Sequence, residues 1–473
     1  MIANEQSAMK KRNNFWANTL LFIFAVAILS NTGTAQTKEE LQKRIQELQR
    51  ELSTTKAQLE KIEAEKEKQS AELAEVQEKV AETEKLLPRK IQLGPLTVGG
   101  AIRANYTFGD YAPELDRPSR AEEDGGTFAL DTFRFNFDFE QGPWIGKAEY
   151  RFYPGYGTNN HDGYHFLHTG WFGYNFADKS QIQVGLNRVP FGPGPYGVSQ
   201  SWLFDQHYYA GLADDMDLGV KYTKPFANFT LDLAYYYADE GSWFGENFSD
   251  DSVRYSYDVV DETGNGYEER NQLNLRGVYT AELADITAKL GASLQYGQLD
   301  SNGPQDDGHH YAGSLHAVTK WKNWTLAPQL TYYRYNVDDD QPLGTDELVQ
   351  FGAYDFPTLL AAEAWIPAIS LSYYLETPRI GWLDYMIPYI EYSSMIKQES
   401  GFNDSEMLVL GSAWARNGWY IYTDLAFSNG NDFVGNEAGY GIHPASGFSS
   451  NRFGANPTDE WEYRFNINFG YYF

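Results

Sequence analysis

Eight histidines are the side chains of this 473-residue chain best suited to proton transfer or metal binding near neutral pH. Three of them, His161, His165 and His168, fall within the octapeptide HDGYHFLH, with Asp162 beside the first. Two more, His309 and His310, are adjacent. Hydrolysis would require such a ring beside a serine and an orienting acid, or else a pair of carboxylates. Neither histidine group has that context. His165 and His168 are three apart, so on an extended strand they point to opposite faces. A metal held by His161, Asp162 and His165 has no stronger support. Cysteine is absent, which removes disulfides, thiolate metal sites, thiol nucleophiles and a lipoprotein anchor. The segment PFGPGPYG at 190–197 lacks the Lys-Ser/Thr pair and the helix that complete a phosphate loop. The chain therefore reads as a non-enzyme with no cofactor, no metal and no nucleic-acid partner.

Charges spaced along alternating stretches support another chemistry, the guiding of ions along a wet wall. The polar side of such stretches carries Arg103, Arg134, Lys147, Arg151, Lys221, Arg276, Lys289 and Arg464. Against them stand Asp138, Glu149, Asp217, Asp232, Glu391 and Glu462. That is a mixture rather than a dense basic ladder. Of the 37 Lys+Arg and 65 Asp+Glu, 13 and 14 precede Arg89, which leaves 24 and 51 and a net charge of −27 in the remainder. Many of these acids lie in links, as in DDD at Asp338 to Asp340 and ENFSDD at Glu246 to Asp251. An acidic mouth concentrates cations over about 8 Å, the Debye length at physiological salt. The same acids serve equally well for solubility, or for divalent ions beside anionic headgroups.

Only strands can hold those charges in register. The last stretch, WEYRFNINFGYYF, places Trp461, Tyr463, Phe465, Ile467, Phe469, Tyr471 and Phe473 on alternate positions. Period two means a strand with one apolar and one polar face. FRFNFDF (Phe133 to Phe139) and NFTLDLAYYY (Asn228 to Tyr237) alternate in the same way. An aromatic content of 16 % suits many half-buried strands better than one compact core. Sixteen strands are expected, at 96–109, 127–140, 144–153, 165–177, 181–189, 216–224, 228–238, 268–280, 285–299, 310–321, 324–336, 363–377, 384–398, 405–416, 418–428 and 460–473. Short turns such as QGP, ADKS and PFAN alternate with long acidic links at 110–126, 154–164, 190–215, 239–267, 337–362 and 429–459. That asymmetry belongs to an all-β, up-and-down transmembrane barrel with short periplasmic turns and long external loops. Closure would pair the last strand with LTVGGAIRANYTF (Leu96 to Phe108), so that lipid meets no open edge.

Two segments precede the barrel. Lys10, Lys11 and Arg12, then the apolar run Thr19 to Ser30, then Gly33 to Ala35, read as a signal peptide over residues 1–35. The run is shorter than the ~20 residues of a membrane-spanning helix. Residues 37–88 read as a periplasmic coiled coil, and 89–473 as the barrel. The seam Leu41, Ile45, Leu48, Leu52, Thr55, Leu59, Ile62, Lys66, Gln69, Leu73, Val76, Val80, Thr83, Leu87 alternates fours and threes until Pro88. So narrow a stripe is buried only by further copies, here parallel ones, along a rod of roughly 70 Å at 1.5 Å per residue.

Leader, stalk and sixteen strands together resemble the trimeric outer-membrane porins of the phosphate-selective O/P type. GLNRVPFGPGPYG (Gly185 to Gly197) is similar to the Gly-x-x-Lys/Arg-x-Pro-Phe-Gly stretch of such porins. The dicarboxylate porins with an N-terminal coiled coil are a rival, although their Gly-Gln-x-Trp strand is not evident. The resemblance implies a passive, homotrimeric channel with basic residues along its lumen. The terminal aromatics resemble the signal by which the barrel-assembly machinery inserts such proteins into outer-membrane lipid, and the stalk would stand within reach of peptidoglycan. The link 190–215 occupies the position of the loop that narrows general porins. Its segment VPFGPGPYGVSQSWLFDQHYYAG contains three prolines and four glycines, a stiff and tightly turned chain. Its aromatics, Trp202, Phe204, Tyr208 and Tyr209, need shelter from water. Pro190, Phe191, Gly192, Tyr196 and Trp202 are thus candidate constriction residues, with Arg188 at the root. The alternative is an envelope tether or surface-binding barrel whose function lies in the loops or stalk. If the seam joins the copies, deleting residues 37–87 should lower the temperature at which the oligomer dissociates in detergent. Equal melting of intact and truncated oligomers would separate the stalk from assembly.

Overall fold

The computed structural model describes residues 43–55, 91–110, 126–153, 164–240, 254–261, 264–353, 356–435, 451–457 and 459–473. The chain divides into two units, Met1–Glu84 and Lys85–Phe473. In the first, residues 43–55 are helical, and Ile45, Leu48 and Leu52 of the seam lie exposed along one stripe. The expected signal peptide and the remainder of the 37–88 stalk lie outside the described residues.

The second unit is a closed antiparallel barrel of sixteen strands. Its first half comprises β1 Leu96–Gly109, β2 Thr127–Gln141, β3 Trp144–Tyr153, β4 Tyr164–Asn175, β5 Gln181–Arg188, β6 Met216–Pro225, β7 Phe229–Asp239 and β8 Tyr267–Leu283. The second half comprises β9 Ile286–Ser301, β10 Gly308–Trp321, β11 Trp324–Asn336, β12 Glu363–Tyr373, β13 Tyr385–Lys397, β14 Ser405–Arg416, β15 Trp419–Ser428 and β16 Glu462–Tyr472. Each strand pairs with the next in sequence. β16 then pairs with β1, from Ala101↔Tyr472 to Gly109↔Arg464. The main chain of Phe473 continues this ladder, donating to and accepting from Gly100 at 3.0 and 2.9 Å. A Cβ on Gly100 would stand 2.5 Å from the Arg134 carbonyl oxygen and 2.7 Å from the Phe473 ring, so glycine suits this position beside the closing residue.

Period two decides the faces. Along β16, Arg464, Asn466 and Asn468 are fully buried inside, while Phe469 and Tyr471 are exposed outside. The same alternation exposes Phe135, Phe172, Val220, Leu233, Leu275, Leu294 and Leu330, an outward apolar belt suited to hydrocarbon. Two-residue turns join several strands at one end, as at 284–285, 322–323 and 417–418. Ala284, Lys322 and Asn417 hold φ of 51°, 52° and 50° there, the positive values that such hairpin turns demand. The other end carries the long links. Two of its eight links, 302–307 and 398–404, are short, so the expected strict alternation of lengths does not hold throughout.

The far-end links fold back and form a core. Asp258–Val259, Leu348–Ala353 and Phe356–Ala361 make a separate three-stranded sheet. Val259, Phe351 and Leu360 of this sheet cluster with Tyr208, Tyr209 and Phe453 of other links and with inward Tyr236, Tyr333 and Met395 of the barrel wall. The core therefore sits inside the far half of the barrel.

Replacing Phe473 by Asp should sharply reduce the yield of heat-modifiable, folded barrel while export continues. An ion on the outer face is costly, about 2–4 kcal/mol for Arg or Lys at mid-depth and less for an acid or near an interface, and Asp also disrupts the closing pair. Wild-type yield on a heat-shift gel would show that the terminal ring is dispensable.

Candidate functional site: a lumen narrowed by an inserted loop

Arg103 on β1, Arg134 on β2, Arg151 on β3, Arg188 at the end of β5, Lys221 on β6 and Arg276 on β8 all turn inward along one side of the barrel. Each has a partner. Arg103 Nε lies 2.9 Å from Asp131, and Arg276 Nη1 lies 3.0 Å from Asp232. Arg134 and Arg151 share Glu149 at 3.1 and 2.6 Å. Arg188 forks onto Asp214 Oδ1 at 3.1 and 2.6 Å. Lys221 Nζ donates to the Arg188 carbonyl at 2.7 Å. Five of these cations thus share four carboxylates while Lys221 meets a carbonyl, so that this set of side chains keeps a formal excess of two positive charges. Lys147 is exposed at the near end, in register with Asp138.

Arg464, expected along the open lumen, is fully buried instead. It donates to the Phe433 carbonyl at 3.0 Å and stacks over Trp202 at 5.0 Å. It fastens two links to the wall, because the far-end core covers it.

The link 189–215 lies inside the barrel. Gly192 N–H donates to Ser293 on β9 at 3.1 Å, and its carbonyl accepts from Arg276 at 2.7 Å. Further along, Ser199 Oγ and Gln200 N–H donate to the two oxygens of Glu391 on β13, at 2.6 and 2.5 Å. Ser370 on β12 supplies a third donor to Glu391, at 2.9 Å. Trp202 N–H reaches Asp424 on β15 at 3.3 Å, and Gln206 N–H reaches Ser393 at 3.1 Å. The loop therefore bridges β5 to the opposite wall, and main-chain and hydroxyl donors consume that wall's acids.

Local chemistry gives the loop its shape. Asp205 accepts from Val198 N–H at 2.9 Å and from His207 N–H at 2.8 Å, closing a tight bend. Gly197 sits in that bend with φ of 63°, where a Cβ would stand 2.4 Å from the Asp205 carboxylate. Pro190, Phe191 and Gly192 lie against the wall, and Phe191 is buried. Tyr196 is 48 % exposed and turns toward the basic arc, 5.8 Å below the Arg188 guanidinium.

The histidine groups separate. His161 lies outside the described residues. His165 faces outward, 2.6 Å from the Tyr150 hydroxyl, while His168 is buried inside beside Thr169 at 2.9 Å. His310 is buried inside against Tyr335, and His309 packs between Tyr296 and Tyr311. The nearest approach to a catalytic relay was not foreseen: His207 bridges Asp205 at 2.7 Å and Thr331 at 2.8 Å. Both residues are fully buried, so this relay pins the loop to β11. Nothing in the spacing of 205, 207 and 331 could have joined them. The apolar content of 348–361, by contrast, was a readable sign that this link forms structure of its own.

No protein-family model matches the chain, and no curated protein matches its sequence. Its fold is similar to that of solved structures. The outer membrane channel DcaP of Acinetobacter baumannii matches with a TM-score of 0.50 and 10 % identity, over 80 % of this chain and 97 % of that one. OmpF of Salmonella typhi, in complex with daunomycin, matches with a TM-score of 0.50 and 11 % identity, over 81 % and 100 %. At these identities the likeness concerns the fold alone.

Glu391 is the loop's main anchor on the far wall. Glu391→Ala would remove three hydrogen bonds and should cost about 2–4 kcal/mol. Denaturant unfolding in detergent would read that cost, and open-channel current noise should rise as the loop loosens. A variant as stable and as quiet as wild type would place the anchor elsewhere.

Proposed function

We propose that the protein is an outer-membrane porin, a passive channel for small hydrophilic solutes and ions, with a preference for anions. The carrying observation is the charge asymmetry at the loop. The basic arc retains a two-charge excess beside the exposed Tyr196, whereas Glu391 and Asp424 opposite are occupied by donors from the loop. Fixed cations beside a narrow, low-dielectric passage raise the local anion concentration. The sixteen-stranded closure favours a pore, since barrels of this size leave room for water. The acidic links outside would oppose this preference only over a Debye length. The motif at Gly185 to Gly197 and the expected stalk favour a trimer of the O/P type, with a cleaved leader, a periplasmic coiled coil near peptidoglycan, and insertion by the barrel-assembly machinery. No chemical step is assigned to it.

A second reading, a tether or surface-binding barrel, is favoured by the packing of the far-end links. Tyr257, Phe351, Leu360 and Phe453 are nearly inaccessible within the far half of the barrel. Conductance in a planar bilayer separates the two readings. Wild-type protein should give discrete steps, and deleting Gly194 to Gln200 should enlarge them. Arg134→Gln combined with Arg188→Gln removes the two-charge excess. The reversal potential should then shift toward cations by a sizeable share of the about 59 mV that a tenfold gradient allows. Steps unchanged by the deletion, together with unchanged selectivity, would move the constriction elsewhere, and absence of any step would favour the tether.

A further inference from the structure

Four carboxylates converge where the inserted loop returns to the wall. Asp215 ends the loop, Asp217 opens β6, Glu240 follows β7, and Asp258 lies on the short strand of the 240–266 link. Each offers one oxygen to a group whose members all lie within 4.8 Å of one another. All four residues are at least 95 % buried. Acids at this depth are normally neutralised by a basic partner. Here the groups that act most strongly on Asp215, Asp217 and Asp258 are all acidic: one another, Glu240, Glu269, Asp239 and Asp214.

The hydrogen bonds are a second, separate observation. Glu240 Oε1 accepts from the main-chain N–H of Tyr255 at 2.5 Å and also from that of Ser256. Asp217 Oδ2 accepts from Gln272 at 2.9 Å. These outer donors orient two of the carboxylates. Yet Asp215 Oδ1, Asp217 Oδ1, Glu240 Oε2 and Asp258 Oδ2 are each buried without any donor. A buried acceptor left unsatisfied costs about 1–3 kcal/mol, and more when charged. Four buried carboxylates in one place, each with an unsatisfied oxygen, call for a common partner that bears positive charge and accepts oxygen ligands.

We propose that Asp215, Asp217, Glu240 and Asp258 bind a divalent cation of the calcium type. The size is compatible: ligands on opposite sides of calcium stand about 4.6–5.2 Å apart, given bonds of 2.3–2.6 Å, and the candidate ligand oxygens all lie within 4.8 Å of one another. Magnesium bonds are shorter, about 2.0–2.1 Å, and this ion keeps several waters, for which a buried, all-carboxylate set is poorly suited. Bound there, the cation ties the returning limb of the 189–215 loop to the 240–266 link. Asp258 and Val259 in turn pair with Gly352 and Phe351, so the tie extends to the small sheet and the core around Tyr257. The site rests on the buried carboxylates alone and stands whether or not the barrel conducts. Burial and the neighbouring acids push Asp215 and Asp258 well above the usual carboxylate range, which a cation at the site would reverse.

The test uses the full-length protein in detergent, stripped with EDTA and then titrated with CaCl2 or MgCl2. Calorimetry should find one calcium per chain that magnesium displaces poorly, and the melting temperature should rise with calcium. Asp217→Asn combined with Glu240→Gln should weaken calcium binding by more than about tenfold. Because that variant removes like-charge repulsion, it should also melt above stripped wild type when no metal is present. Replacing Asp338, Asp339 and Asp340, a cluster nearer the surface, by Asn should leave the buried site's binding unchanged. If the double variant fails to assemble, Asp258→Asn supplies the same comparison. Stripped wild type that binds no calcium overturns the proposal, as does binding that is equal in the buried-site variants or is lost only with Asp338 to Asp340.

Discussion

Every main-chain polar group in a hydrocarbon layer must find its partner within the protein, and a sheet meets that demand only by closing on itself. The pairing of β16 with β1 is therefore the contact on which the other fifteen strand pairs depend. It runs from Ala101↔Tyr472 to Gly109↔Arg464 and is extended by Phe473, whose ring lies against Gly100. Open this seam and both edge strands expose a row of unpaired donors and acceptors.

Closure creates the next problem. Sixteen strands enclose more space than their inward side chains fill, and inward side chains of a period-two strand are polar. The protein fills much of that space with its own links. The 189–215 loop satisfies Glu391 and Asp424 on one wall and accepts from Arg276 on the other. Aromatic residues of the other links then pack against it. The result is a polar barrel whose far half has the hydrophobic core of a soluble domain.

Electrostatics follows from that packing. A wall acid that receives two or three donors is well stabilised, and its oxygens are no longer free to ligate an ion directly. The arc from Arg103 to Arg276 is only partly neutralised, because Arg134 and Arg151 share a single Glu149 and Lys221 meets a carbonyl rather than a carboxylate. The total charge of −28 is thus a poor guide to the lumen. Position and partners, rather than total charge, decide the sign of the field inside the barrel.

The strand count, the faces and the closing pair were legible in the residues, because alternation is a local property: FRFNFDF and WEYRFNINFGYYF need no knowledge of their neighbours to show which side is apolar. The aromatic content of the 189–215 loop likewise announced a sheltered loop. What only the tertiary structure decided depends on groups that are distant in sequence. Asp205 and His207 meet Thr331, Ser199 and Gln200 meet Glu391, and Arg464 is buried beneath Trp202 rather than facing water. Asp215, Asp217, Glu240 and Asp258 read as scattered acids until the return of two links brings them within 4.8 Å. The physical reason is one of range. Periodicity is set by bond geometry and survives in any context, whereas the partner of a buried charge is set by which surfaces pack together, and packing is a property of the whole fold.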